Sequence, residues 1–281
     1  MTSERIGLIG PGRMGLAMVK HLIKAGYQVT TTDINAEQLA LAADAGAATV
    51  ASAADVGAAS DFAIIAVGYD AETRAVTTGK GGLLETMKPG SIIGISSTIA
   101  PETAREIAAI AAEKGVEIYD APTCRGRWAA DEGTLLALVG GTDEVVARAA
   151  PIYSTFCSDI AHLGGMGAGQ IGKAMNNFLM WVNGVALIEA GRLCEELDID
   201  LVKMRDAMLI SSGRSAVLED WDRMTFTWAL KDMQVVSGLA DETGLAMPLA
   251  GAIREMVKEA RRIKATNPPD WTGEGGMSKI P

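Results

Sequence analysis

Near the amino terminus, Ile6-Gly7-Leu8-Ile9 runs straight into Gly10-Pro11-Gly12-Arg13-Met14-Gly15, and Leu16 to Ala25 then repeats apolar residues at helical spacing before stopping at Gly26. A short apolar strand, a glycine turn and a helix in that order restrict the fold more than any other stretch of the chain. Gly10 permits the tight turn, Gly12 lets a pyrophosphate approach the backbone, and Gly15 lets the helix pack on the strand, with Pro11, Arg13 and Met14 completing the loop. A second strand, Gln28 to Thr32, ends at Asp33, 18 residues beyond Gly15. A carboxylate there accepts hydrogen bonds from ribose hydroxyls and repels a 2′-phosphate, so the expected coenzyme is NAD rather than NADP. Asp33 is also placed to cap the next helix, a role compatible with the first.

The alternation continues. Ser52 opens a short helix. Asp61 to Val67 is β-rich and ends in Gly68, and Ser91 to Ile95 is followed by Ser96-Ser97-Thr98-Ile99-Ala100-Pro101, where Pro101 suits a first helical turn. Val116 to Tyr119 and Leu135 to Val139 are further strands, the latter closed by Gly140-Gly141-Thr142-Asp143. Strands alternating with helices predict an open, largely parallel sheet, with ligands outside the carboxyl ends of its strands. Val67, Gly68, Thr98 and the Asp120–Arg127 loop are therefore expected to meet at one crevice.

Beyond Leu163-Gly164-Gly165 only helical periodicity remains, over 169–196, 201–211, 214–222, 228–243 and 249–264. The expected architecture is a Rossmann-type α/β dinucleotide-binding domain over 1–163, then an all-helical domain over 164–281 for substrate and oligomer contacts. A long interdomain helix joins them. The tail from Asn267 to Pro281, rich in glycine and proline, is expected to be loosely ordered.

Composition removes several function classes. The net charge of −10 argues against a nucleic-acid or anionic-membrane surface. Cys124, Cys157 and Cys194 form no paired framework, and neither they nor His21 and His162 fall at zinc-ligand spacing, so no metal is expected. The apolar stretch 178–188 is shorter than the ~20 residues a bilayer span requires. No leader of signal-peptide form precedes the first strand, and the expected location is cytoplasmic.

Chemistry concentrates at Gly167-Ala168-Gly169-Gln170-Ile171-Gly172-Lys173-Ala174-Met175-Asn176-Asn177, which opens the apolar run Phe178 to Leu193, read as one largely buried helix. Lys173 and Asn177 lie one turn apart on a single helical face. A lysine leaving water gives up its proton more readily, and an amide beside it can hold a substrate oxygen. The competing reading is a lysine whose stem lies on apolar surface with its head in water.

Together these motifs resemble the β-hydroxyacid dehydrogenase family, whose members include 3-hydroxyisobutyrate dehydrogenase and sulfolactaldehyde reductase. The resemblance spans nearly the whole chain. Ile6–Gly15 is similar to the family's glycine signature and Ser97-Thr98-Ile99 to its strand end beside the nicotinamide. Asp120-Ala121-Pro122 with Gly133-Thr134-Leu135 frames its substrate loop, and Gly169 through Asn177 is similar to its catalytic signature. Ser211-Ser212-Gly213-Arg214 and Lys231-Asp232 resemble motifs that close over the site. The resemblance implies that Lys173 is the catalytic lysine and Asn177 a substrate-orienting amide. Thr98 would lie against the nicotinamide ribose, Lys231 would contact cofactor or substrate, and the helical domain would form dimers or tetramers.

One departure bears on the substrate. Where the family usually carries Ser-Gly-Gly, this chain has Cys124-Arg125-Gly126, followed by Arg127 and Trp128. Thr123, Cys124, Arg125 and Gly126 are expected to bind the acid end of a small anionic hydroxyacid or aldehyde. Sulfolactaldehyde reductase is similar in carrying a cation at the position matching Arg125, which can supply two donors to a carboxylate or sulfonate or pair with a carboxylate of the protein. Arg127 reads as a surface residue, and Trp128, Trp181, Trp221 and Trp228 mainly as core. The expected reaction is reversible hydride transfer between NAD(H) and a 3-hydroxyacid or its semialdehyde, with Lys173 as general acid–base. The alternatives are an imine reductase on the same fold and a non-catalytic NAD-binding module.

Overall fold

The computed structural model describes residues 4–278. Its first half alternates as the sequence predicts. The strands and helices are β1 (Arg5–Ile9), α1 (Arg13–Lys24), β2 (Gln28–Thr32), α2 (Ala36–Asp44), β3 (Ala48–Thr49), α3 (Ala53–Ala59), β4 (Phe62–Ile65), α4 (Asp70–Thr77), β5 (Ile92–Ile95), α5 (Pro101–Ala112) and β6 (Glu117–Asp120). Then come β7 (Thr123–Cys124), α6 (Gly126–Glu132), β8 (Leu135–Gly140), α7 (Asp143–Tyr153) and β9 (Cys157–Gly164). The remainder is helical: α8 (Ala168–Glu196), α9 (Leu201–Leu209), α10 (Ala216–Glu219), α11 (Ala229–Thr243) and α12 (Pro248–Thr266). This is the Rossmann-type α/β domain followed by a helical domain that the motifs imply.

From β3 through β2, β1, β4 and β5 to β6 all pairings are parallel. The strand order reverses between β1 and β4, the position at which open sheets of this kind form a ligand crevice. β6 and β7 both pair antiparallel with β8, Asp120 opposite Gly140 and Cys124 opposite Leu136 in one register. Side chains of period two feed both faces of the sheet. Ile6 and Leu8 of β1 and Phe62 and Ile64 of β4 pack with α1, whereas Ile9, Ala63, Ile65, Ile93 and Ile95 join Val56 and Ile107 on the other side. A third core, around Trp181, Val185, Trp221, Met233, Val257 and Trp271, belongs to the helices alone. Two compact units divide between Lys173 and Ala174, inside α8.

Three strands escaped the sequence reading. β3 and β7 are two residues each, and β9 is an edge strand with mostly exposed or half-exposed residues, so its sequence lacks the apolar run of its buried neighbours. α8 is also less buried than its composition suggests, since Leu179 and Leu193 are 60% and 62% exposed. The tail differs most. Trp271 is fully buried and donates to Leu187 O at 3.2 Å, while Trp221 Nε1 donates to Pro269 O at 3.0 Å. One indole burying its whole surface outweighs the looseness of the surrounding glycines. The last residues of the expected loose tail, 279–281, lie outside the described residues. No helix among the described residues is long and apolar enough to cross a membrane.

Candidate active site

Gly10 turns the chain out of β1 with φ +87°, and a Cβ there would meet Ala66 O at 2.8 Å. Gly15 sits so close to that turn that a Cβ would fall 2.2 Å from Gly10 O. Around Gly12, by contrast, the space is open to 4 Å. Gly12 is the N-cap of α1, no side chain caps the helix, and its first turn carries no acidic residue. With neither a side-chain cap nor an acidic first turn, this end of α1 fits a pyrophosphate. In this turn Pro11 is buried, Met14 half-buried and Arg13 exposed.

Asp33 ends β2 half-buried and accepts the backbone N–H of Asn35 at 2.8 Å. The cap of α2 is Asn35, whose side chain accepts from Glu37 N, so the capping role open to Asp33 falls two residues later. Ile34, immediately after Asp33, is fully exposed. At the end of β4, Val67 N donates to Ser97 Oγ at 2.9 Å and Gly68 N to Glu72 at 2.8 Å, so these loops are tied to one another before any ligand arrives. Thr98 is half-buried between Ser97 and Ile99.

Lys173 is half-buried, and its Nζ lies 3.7 Å from Cys124 Sγ. Lys173 and Cys124, expected from the sequence to serve catalysis and substrate binding, are therefore neighbours. Asn177, 4% exposed, donates from Nδ2 to Asp232 Oδ2 at 2.9 Å and accepts at Oδ1 from Asn176 at 3.1 Å. Trp181 Nε1 also donates to Asp232 Oδ2, at 3.0 Å. The buried carboxylate of Asp232 thereby fixes the orientation of the Asn177 amide. Lys231 Nζ stands 5.7 Å from the Trp228 ring centroid.

Arg125 points its Nη1 at Asp159 Oδ2 (2.7 Å), Ser158 Oγ (2.8 Å) and Thr134 O (3.0 Å). The partner is a carboxylate of the protein, on β9, and a substrate anion would have to displace it. Arg127 pairs with Asp131 at 3.6 Å on the exposed face of α6. Thr123 is half-buried, Cys124 buried and Gly126 exposed. Of the tryptophans, Trp181 and Trp221 are core, whereas Trp128 and Trp228 are each 49% exposed.

Two residues that meet where β6 ends and α8 begins, Asp120 and Gln170, carry more than the motifs suggested. Asp120, fully buried at the end of β6, accepts from Gly167 N and Gln170 N, both at 2.7 Å. Burial pushes its carboxyl up to about 6, against the opposing pull of those N–H groups. Gln170, 1% exposed, accepts from Ile99 N at 3.0 Å and donates to Ser97 O at 2.8 Å. Both residues belong to motifs visible in the sequence, but nothing in the sequence assigns them these contacts. No cluster of three or more His, Cys, Asp or Glu among the described residues could hold a metal.

The chain is similar to known proteins along its whole length. A family model described as the NAD binding domain of 6-phosphogluconate dehydrogenase matches residues 5–165. A second, for the NAD-binding region of NADP-dependent 3-hydroxyisobutyrate dehydrogenase, matches residues 167–270. The 3-sulfolactaldehyde reductase of Escherichia coli is 30% identical, over 95% of this chain and 93% of that protein. The 2-(hydroxymethyl)glutarate dehydrogenase of Eubacterium barkeri is 34% identical over 77% of this chain and 72% of its own length. Among solved structures, Mycobacterium tuberculosis 3-hydroxyisobutyrate dehydrogenase with L-serine superposes with a TM-score of 0.85 at 26% identity, covering 96% of both chains.

Proposed function

Because the chain belongs to the β-hydroxyacid dehydrogenase family, of the 3-hydroxyisobutyrate dehydrogenase type, we propose that it is an NAD-dependent dehydrogenase of a small anionic 3-hydroxyacid, or the reductase of the matching semialdehyde, with Lys173 as general acid–base. The observation that supports this most is the contact of Lys173 Nζ with the substrate loop at Cys124. Bound NAD supplies the carbon that takes up hydride. As the carbinol carbon of the hydroxyacid gives up hydride, the neutral amine of Lys173 takes the hydroxyl proton. In reduction its ammonium returns that proton to the developing alkoxide. Asn177, with Oδ1 engaged by Asn176 and one Nδ2 hydrogen by Asp232, offers its remaining N–H to a substrate oxygen.

Preference for NAD follows from Asp33 at the end of β2, with the apolar Ile34 rather than a cation next to it. A homodimer or homotetramer goes with this reading, and the exposed Leu179, Leu193, Leu197, Ile210 and Leu245 are apolar side chains that such contacts would cover. Light scattering at the 29.3 kDa monomer mass would remove that part.

The test is absorbance at 340 nm with NAD and, separately, NADP against 3-hydroxyisobutyrate, glycerate, 3-hydroxypropionate and sulfolactate. Lys173→Met should lower kcat by ~10²–10⁴-fold, the usual contribution of a positioned acid–base group. NADH affinity, read by fluorescence titration, should be nearly unchanged. Near-normal turnover of Lys173→Met would reject the assignment of the lysine.

A further inference from the structure

The start of α8 is fastened to the sheet from two directions. Asp120 accepts the N–H groups of Gly167 and Gln170, so the first turn cannot slide along its axis without breaking a 2.7 Å bond. Gln170 then reaches across to the segment after β5. Its Oε1 accepts from Ile99 N at 3.0 Å and its Nε2 donates to Ser97 O at 2.8 Å. The two contacts lie on either side of Thr98, and both ends of the amide are used. Ser97 in turn accepts Val67 N through its hydroxyl at 2.9 Å. The loops after β4 and β5 and the first turn of α8 thus form one connected unit, and Lys173 stands three residues along α8 from its centre.

We propose that Gln170 is a positioning residue for hydride transfer: by gripping Ser97 and Ile99 around Thr98, it fixes the distance of Lys173 from the reacting carbon. This rests on the assignment of Lys173 as acid–base. A fully buried amide is an expensive fastener, because each unpaired end would be left unsatisfied. An apolar side chain would pack there as well, but it could not set register between a helix and a loop. Displacement of a catalytic group by about 1 Å is enough to reduce turnover ~10²-fold.

The experiment uses the hydroxyacid from the panel above that gives the fastest absorbance change, with NADH titration and thermal unfolding as parallel readouts. Gln170→Leu removes both contacts at similar volume and should lower kcat ~10–100-fold with KM and NADH affinity within a few-fold of the parent. Gln170→Glu gives the sharper readout. When neutral, its carboxylic acid can donate to Ser97 O and accept from Ile99 N as the amide does. When ionised, it faces the Ser97 carbonyl with no proton to offer. Its kcat, taken as a ratio to the parent at each pH, should therefore approach one at low pH and fall as pH rises, the ratio cancelling the limbs both proteins share, including any from the buried Asp120 that accepts Gln170 N.

Parent-like kcat in both variants at every pH, with only a lowered unfolding temperature, would overturn the proposal and leave Gln170 as a structural fastener. If Lys173→Met is inactive while the Gln170 variants turn over normally, only the positioning role falls. Near-normal turnover of Lys173→Met would remove the acid–base assignment and this inference with it.

Discussion

Arg125 holds a backbone conformation that most side chains avoid. Its φ is +82°, in the left-handed region, at a position where the family resemblance leads one to expect glycine. Such a conformation costs a non-glycine residue of order 1–3 kcal/mol. The compensating contact to Asp159 is between half-exposed groups and is worth about 0–1 kcal/mol. The usual order of substitutions should therefore reverse: Arg125→Gly should be more stable than Arg125→Ala by roughly 1 kcal/mol, read from urea midpoints. Equal midpoints would show that no strain is stored there. The same pair reports on chemistry. With the guanidinium held by Asp159, both variants should leave KM for the hydroxyacid within a few-fold, whereas a large rise would mean that the substrate displaces Asp159 and claims the arginine.

At the scale of elements, the contact between α8 and the sheet decides where Lys173 stands, and Gly169 allows it. A Cβ at Gly169 would lie 2.3 Å from Leu138 O, 2.8 Å from Asp120 Oδ2 and 2.9 Å from Asp120 O. Two of these are backbone atoms of β6 and β8 and cannot move aside cheaply. Gly169→Ala should destabilise the protein by about 1–3 kcal/mol by forcing the helix outward, and kcat should fall with it because Lys173 travels on the same turn. Unchanged unfolding temperature and turnover would show that the helix has room to spare. Here the limits of the sequence become visible. β1, α1 and β2 were legible because glycine punctuation and apolar periodicity agree, and α8 because its helical spacing is unbroken. β9 was not, because an exposed edge strand keeps its polar residues and leaves no apolar signature. Lys173 and Asn177 could be singled out as candidates from their spacing on one helical face and from the family resemblance. Asp120 and Gln170 could not be given roles, since nothing local says that the end of β6 meets the start of α8.

On the scale of the whole chain, the carboxyl-terminal segment is where composition misled, and a buried lysine explains why. Lys264 of α12 is 3% exposed, donates to Trp221 O at 2.7 Å and to Gly276 O, and lies 3.8 Å from the Trp221 ring centroid. It fastens the returning tail to the helical core from which Trp271 and Pro269 also hang. Burial lowers its pKa from 10.5 to about 8, with the nearby Asp222 opposing. Between those two values the unfolded chain binds the proton that the folded chain has released, so folding stability contributed at this site rises as pH climbs through the window. Below pH 8 the ammonium is charged in both states and its burial penalty is present in full. Lys264→Met removes the titration together with both hydrogen bonds, so a lower midpoint at neutral pH is uninformative. The slope is the test. From about pH 8 to 10.5, the urea midpoint of the parent should rise relative to that of Lys264→Met, the other lysines and tyrosines cancelling between the two proteins. Parallel curves would mean that Lys264 has the same pKa folded and unfolded, its hydrogen bonds and Asp222 offsetting the cost of burial in full.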